Sequence, residues 1–185
     1  MAIICLLAFS KQILVKLTLI LLVSFCYSFG MIRPIFVGGP MPVISRSALV
    51  MHSVEEMYQL INDILAYPSF IPDCGDSKII SQHKDIIIAS LLVSKGGLKK
   101  WFTTENILVN NEKIILNLVD GPFKKLTGSW TLKALSGEAC KISLDLDYEF
   151  SNKVFDLAFG RVFNHLTNNM VQAFTQRAKE VYSNV

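Results

Sequence analysis

Residues 141–150 read Lys-Ile-Ser-Leu-Asp-Leu-Asp-Tyr-Glu-Phe. Ile142, Leu144, Leu146, Tyr148 and Phe150 alternate without a break with Lys141, Ser143, Asp145, Asp147 and Glu149. That is the period of a β-strand with one face in a core and the other in water. Directly after it the period changes. Phe155, Phe159, Val162, Phe163, Leu166, Met170, Phe174, Ala178 and Val181 recur at helical spacings, against a face holding Lys153, Asp156, Asn164, Gln176, Lys179 and Glu180. Ser151 or Asn152 is placed to cap this helix. A stripe of about 28 residues makes a helix roughly 40 Å long, enough to cross a whole sheet. A half-wet strand leading into a sheet-length apolar stripe decides the fold: the sheet must close over that helix.

Upstream, Lys125–Ala134 alternates in the same way, with Leu126, Gly128, Trp130, Leu132 and Ala134 on one face. Lys78–Gln82, Ile86–Ser94, Leu98–Val109 and Lys113–Val119 complete the strand series, broken by short turns at His83-Lys84-Asp85, Gly96-Gly97, Asn110-Asn111-Glu112, Asp120-Gly121-Pro122 and Ser136-Gly137-Glu138. Turns this short join antiparallel strands. Before them, Val43–Met51 reads as a first strand and Ser53-Val54-Glu55-Glu56 as a capping box. The helix it opens lays down Val54, Met57, Leu60, Ile61 and Ile64 and is expected to close at Tyr67-Pro68, with Pro68–Pro72 holding a short turn. The order is strand, helix, six strands, long helix. The expected class is α+β, a helix-grip in which a curved antiparallel sheet wraps the C-terminal helix. One helix cannot touch every strand, so a cavity is expected beneath it. Gly128 and Gly160 either widen that cavity or permit close packing.

Of 185 residues, 51% are hydrophobic and 18% charged, which excludes disorder as a description of the whole. Residues 1–40 hold Lys11, Lys16, Arg33 and no acid, so residues 41–185 keep 15 basic and 15 acidic side chains and the net charge of +3 lies entirely in the extension. A neutral body excludes nucleic-acid binding by bulk electrostatics and leaves only local basic patches. The extension contains the uncharged run Leu17–Ile32. It reads as a membrane anchor, a secretory signal, or residues ahead of a start at Met41. The body, 41–185, is large enough to bury one core without metal or disulfide support. Cys5, Cys26, Cys74 and Cys140 show no metal-ligand spacing, and a Cys74–Cys140 disulfide is expected only in an exported protein.

No catalytic set assembles. His52, His83 and His165 share no motif, and Asp145, Asp147 and Glu149 fall on the solvated strand face. The doublets Lys99-Lys100 and Lys124-Lys125 are the body's densest basic points, and Gly96-Gly97 is a hairpin turn rather than a phosphate loop. The expectation is a protein that binds rather than catalyses.

Three stretches carry a resemblance. Tyr67–Cys74 (YPSFIPDC), Asp120–Trp130 (DGPFKKLTGSW) and Ala158–Phe163 (AFGRVF) followed by Met170–Ala178 (MVQAFTQRA) are similar to the coenzyme Q-binding, START-like (polyketide cyclase/lipid transport) family, and most to its branch of bacterial ribosome-association toxins. The similarity runs from Met41 to about Tyr182, which favours a body starting at Met41. The resemblance implies two non-enzymatic activities. One is binding of ubiquinone or a similar polyprenyl lipid in the cavity, in support of respiratory electron transfer. The other is binding of the large ribosomal subunit so that the small one cannot join, with an antitoxin as a further partner. A quinone tail needs an apolar tunnel, for which the candidates are Phe70, Trp130, Leu132, Leu144, Leu146, Tyr148, Phe159, Phe163 and Met170. Subunit binding needs cations on phosphate, for which the candidates are Lys99, Lys100, Lys124, Lys125 and Arg161. Where many quinone-binding relatives have Trp before the cysteine, this chain has Asp73, a departure toward the toxin branch. The expected function is ubiquinone binding with ribosome binding as the alternative. The expected location is the cytoplasm, with membrane contact only if residues 1–40 are retained.

Overall fold

The computed structural model describes residues 43–182, and the readings made of residues 1–40 lie outside them. Strand β1 (Val43–Val50) leads into helix α1 (Val54–Asn62) and a 3-10 turn (Ile64–Ser69). Strands β2 (Cys74–His83), β3 (Ile86–Lys95), β4 (Leu98–Val109), β5 (Lys113–Asp120), β6 (Phe123–Ser136) and β7 (Ala139–Phe150) follow, and helix α2 (Lys153–Tyr182) ends the described chain. The seven strands form one antiparallel sheet in the order β1-β7-β6-β5-β4-β3-β2. It is a meander whose first strand returns to pair with the last, Val50 opposite Cys140 and Ile44 opposite Leu146. Gly96 and Gly97, at φ 57° and 84°, make the tight β3–β4 turn that residues with a Cβ resist.

The sheet bends rather than lying flat. Register shifts interrupt β2–β3, β4–β5 and β6–β7, and β5 pairs with β6 only from Lys113 to Asn117. Bulges of this kind sharpen local twist, and they curl the sheet around α2. The 30 residues of α2 span about 45 Å. Its N-cap is Asn152, whose Oδ1 accepts from the Phe155 amide at 3.0 Å. Phe159, Val162, Phe163, Leu166, Met170, Phe174 and Ala178 are buried as the stripe requires. The stripe's two ends fray outward, with Phe155 half-buried and Val181 exposed.

The Ser53 capping box forms in full: Glu56 N donates to Ser53 Oγ, and Ser53 N donates to Glu56 Oε2 at 2.7 Å. The helix it starts ends sooner than its apolar spacing predicts. Asp63 caps α1, and Ile64, Tyr67 and Pro68 belong to the 3-10 turn. The Tyr67 hydroxyl donates to the Ile61 carbonyl and holds that turn under α1. At the other end of the chain, Tyr182 donates to the Glu56 carbonyl at 3.0 Å and ties α2 to α1.

The two glycines serve close packing. A Cβ on Gly128 would sit 2.2 Å from the Asp145 carbonyl oxygen and 2.6 Å from Leu146 Cδ2, and one on Gly160 would sit 2.8 Å from Asp156 Oδ1. Gly128 lets the backbones of β6 and β7 pack closely, whereas Gly160 borders a hollow at the start of α2. Cys74 and Cys140 are both free and buried. Burial pushes the Cys74 thiol up to about 11. Among the described residues, no helix is long and apolar enough to cross a membrane.

Candidate functional site: an apolar cavity and a basic end

Two places on the fold carry the candidate residues. The first is a cavity between α2, α1 and the inner sheet face. Trp130 on β6 and Leu144 on β7 are register partners, and both face inward beside Leu146. Phe163, Leu166 and Met170 of α2 form the opposite wall, Ile61 and Ile64 the roof, and Ala89, Phe102 and Ile114 the far side. Its volume is about 60 Å³, room for roughly four to six waters at ~10–15 Å³ each.

Five of the nine residues expected in a tunnel line this cavity: Trp130, Leu144, Leu146, Phe163 and Met170. Four do not. Phe70 sits outside it, half-buried against Tyr67 and Phe174 and under the Arg177 guanidinium. Leu132 is buried further along β6, opposite Ile142, past the lining. Phe159 stacks on Phe163 and meets Phe150 edge-on, one helical turn beyond the cavity wall. Tyr148 packs its ring among Phe123, Phe150 and Phe163 and borders a surface hollow instead. Burial, then the negative charge of Asp156, raises its phenol above the ordinary range.

The lining also includes polar groups that the sequence reading passed over: Asn62, Thr104, Asn106 and Thr167. The signal for two of them lay in β4. With Phe102 inward, strand alternation turns Thr104 and Asn106 inward as well.

The second place is the end of the fold where α2 begins. Lys99 and Lys100 border one hollow with Asp120, Pro122, Ser151 and Phe155. Lys124, Lys153 and Arg161 border a neighbouring hollow with Tyr148, Asp156 and the same Ser151. Four of the five expected phosphate-binding residues therefore gather around one residue. Lys100 Nζ lies 5.2 Å from the centre of the Phe155 ring, and Lys124 pairs with Glu149 at 2.9 Å. Lys99, Lys100, Lys153 and Arg161 are exposed and make no ion pair among the described residues. The same turns of α2 expose Val154 and Leu157. Lys125 stands apart, on the outer sheet face in a pair with Asp147.

Asp73, the departure noted in the sequence, has a defined task. At φ 63° it points its carboxylate at α2, with Oδ2 2.7 Å from His165 Nδ1 and 3.0 Å from Lys95 Nζ. An acid here clasps the loop before β2, the end of β3 and the middle of α2.

This geometry defines a class. Residues 50–175 match the family model described as polyketide cyclase / dehydrase and lipid transport, and the chain belongs to that START-like family. Its relatives include the ribosome association toxin RatA of Escherichia coli strain K12, 57% identical over 143 residues that span 77% of this chain and 90% of that protein. A more distant relative is the mitochondrial coenzyme Q-binding protein COQ10 homolog B of Xenopus laevis, 26% identical over 75% of this chain and 58% of that protein. Among solved structures, the Zhui aromatase/cyclase from Streptomyces sp. R1128 matches with a TM-score of 0.66 over 78% of this chain and 98% of its own, at 16% identity. That last likeness is one of fold.

Proposed function

We propose that the protein is a non-catalytic, ribosome-associating factor of the RatA kind, which binds the large ribosomal subunit through the basic end around Ser151 and hinders joining of the small one. The observation that carries this reading is the 57% identity to RatA across 90% of that protein's length. The gathering of Lys99, Lys100, Lys124 and Arg161 supports it, because a neutral body needs a local cluster of cations to hold rRNA phosphate. The two expectations drawn from the sequence thus change order. Ligand pockets usually offer about 300–1,000 Å³, and the cavity's volume of about 60 Å³ favours the ribosomal reading over one that needs space for a polyprenyl tail.

Sedimentation of the purified chain with large subunits is the test. Four phosphate contacts predict an affinity that falls roughly a hundredfold between about 50 and 200 mM salt. Absence from the large-subunit peak at the lower salt would sink the proposal.

A second reading has its own observation in the mainly apolar lining of the cavity: the protein also takes a small apolar ligand. The COQ10 relative makes a quinone the first compound to look for. Mass spectrometry of solvent extracts from natively purified protein tests this, and repeated empty preparations would count against it.

A further inference from the structure

The hollow that holds Lys99 and Lys100 contains more than charge. Trp101 and Phe155 line it as well, both half-buried, and so does the exposed Asp120. The molecule's other tryptophan, Trp130, is 2% exposed and belongs to the core. Trp101 instead lies on the outer sheet face, because its strand neighbour Phe102 is the one that points inward. Each ring of the hollow has an ammonium group against it. Lys78 Nζ lies 4.4 Å from the centre of the Trp101 ring, and Lys100 Nζ 5.2 Å from that of Phe155. Lys78, Lys99, Lys100 and Asp120 make no ion pair among the described residues. The volume is about 440 Å³, within the range of about 300–1,000 Å³ usual for ligand sites.

Cations interleaved with partly exposed rings are what single-stranded nucleic acid requires. The ammonium groups hold phosphate, and every unstacked base has a flat face to lay on a ring. A duplex stacks its bases internally and would leave the rings unused. The carboxylate adds discrimination, since it repels phosphate but accepts a hydrogen bond from an amino group such as cytosine N4, where uracil carries an oxygen. We propose that this hollow holds an unpaired nucleotide of rRNA, with its base against Trp101 and Phe155, its phosphates on Lys99 and Lys100, and its amino-bearing edge on Asp120, so that cytosine is taken above uracil. This rests on the reading that the basic end binds the large ribosomal subunit, and names the form of RNA it meets there.

The test follows the tryptophan fluorescence of the full-length protein at about 50 mM salt. The ligands are oligocytidylate and oligouridylate of about sixteen nucleotides, and a GC-rich RNA duplex with the same total number of phosphates. The expected result is that the single strands quench Trp101 and the duplex does not, with oligocytidylate binding about fivefold more tightly than oligouridylate. Trp101→Leu keeps the Trp130 emission as a report of folding. It is expected to lose the quenching and to weaken oligocytidylate binding about tenfold. Asp120→Asn is expected to bring the ratio of the two dissociation constants close to one, whatever the loss of a negative charge does to both. Equal affinity for single strand and duplex, or Trp101→Leu binding like wild type, would overturn the proposal, because only charge would then be read. An unchanged ratio in Asp120→Asn would overturn the assignment of Asp120. Capture by phosphatidylglycerol vesicles with no response to either oligonucleotide would overturn the proposal in favour of a lipid surface, which the exposed Val154 and Leu157 would also suit. Each of these failures leaves co-sedimentation with the large subunit standing, whereas loss of co-sedimentation removes the reading beneath the proposal.

Discussion

The space beneath α2 is filled in two different ways. Near the helix start, Phe163 meets Tyr148 and Phe123 at ring separations of 4.8 Å and Phe102 at 5.7 Å, while Phe150 and Phe159 close the group. Further along, Phe174 gathers Trp130, Phe70 and Tyr67 at 5.1–5.3 Å. Between these two aromatic clusters the packing gives out, and the cavity takes their facing members, Phe102, Phe163, Tyr67 and Trp130, as walls. The solid end is also the basic end. The difference teaches that the proposed subunit-binding face and the cavity rest on differently packed parts of the fold. A closely packed aromatic plug lies beneath the surface cations, and the middle is less filled.

The sharpest way to break that contrast is to empty the plug. Phe163 is 1% exposed, and Phe163→Ala is expected to cost about 3–5 kcal/mol in urea unfolding. A loss below about 1.5 kcal/mol would mean that the plug is no better packed than the middle. Next in size is the roof. Ser53→Ala removes the capping bond that starts α1 and is expected to cost about 1 kcal/mol. The roof also predicts a pH dependence. The Ser53 backbone amide first, then its hydroxyl, hold the Glu56 carboxyl below its ordinary range. The ionised form is therefore the stabilising one. Its contribution is complete above the ordinary carboxylate range and is lost as pH falls through the lowered value, so the stability gap between wild type and Glu56→Gln should close in acid. A gap that widened in acid would reverse the assignment.

Smaller still is the change expected on filling the hollow. Ala89→Leu adds volume at a lining position where a void can take the side chain, so it is expected to cost no more than about 1 kcal/mol, below the ~1–3 kcal/mol of the same insertion into a filled core. A loss of several kcal/mol would show that the middle is packed like the ends. The smallest effect belongs to Lys124→Ala. Its pair with Glu149 is exposed on both sides, so stability should change by no more than about 0.5 kcal/mol, although subunit binding should weaken.

Much of this molecule was legible in its sequence. β4 spans the predicted Leu98–Val109, β7 alternates as KISLDLDYEF requires, and the capping box and α2 stripe form where their spacing placed them. These signals are local and repeat, so they survive without knowledge of the tertiary fold. The early end of α1 was hidden because Ile64 keeps the helical spacing and stays buried in the 3-10 turn that replaces the helix. The site was legible only in part. Periodicity says which face of an element is inward, not how far along the sheet a void opens. Leu132, Tyr148 and Phe159 are inward and buried, yet they lie beyond the two ends of the cavity. Thr104 and Asn106 went unseen for the converse reason, since polar residues at inward strand positions break the apolar pattern used to find them. The meeting of Lys99 and Lys100 with Lys124 and Arg161 depends on which strand ends and helix start share one edge of the fold, information held by the topology.

The division of labour is tested most directly by sedimenting two variants with large ribosomal subunits at low salt. One carries Lys99→Ala, Lys100→Ala, Lys124→Ala and Arg161→Ala; the other carries Asn106→Leu. The account predicts that the first stays at the top of the gradient while remaining folded by circular dichroism, and that the second travels with the subunit like wild type. Wild-type co-sedimentation of the fourfold variant would contradict it.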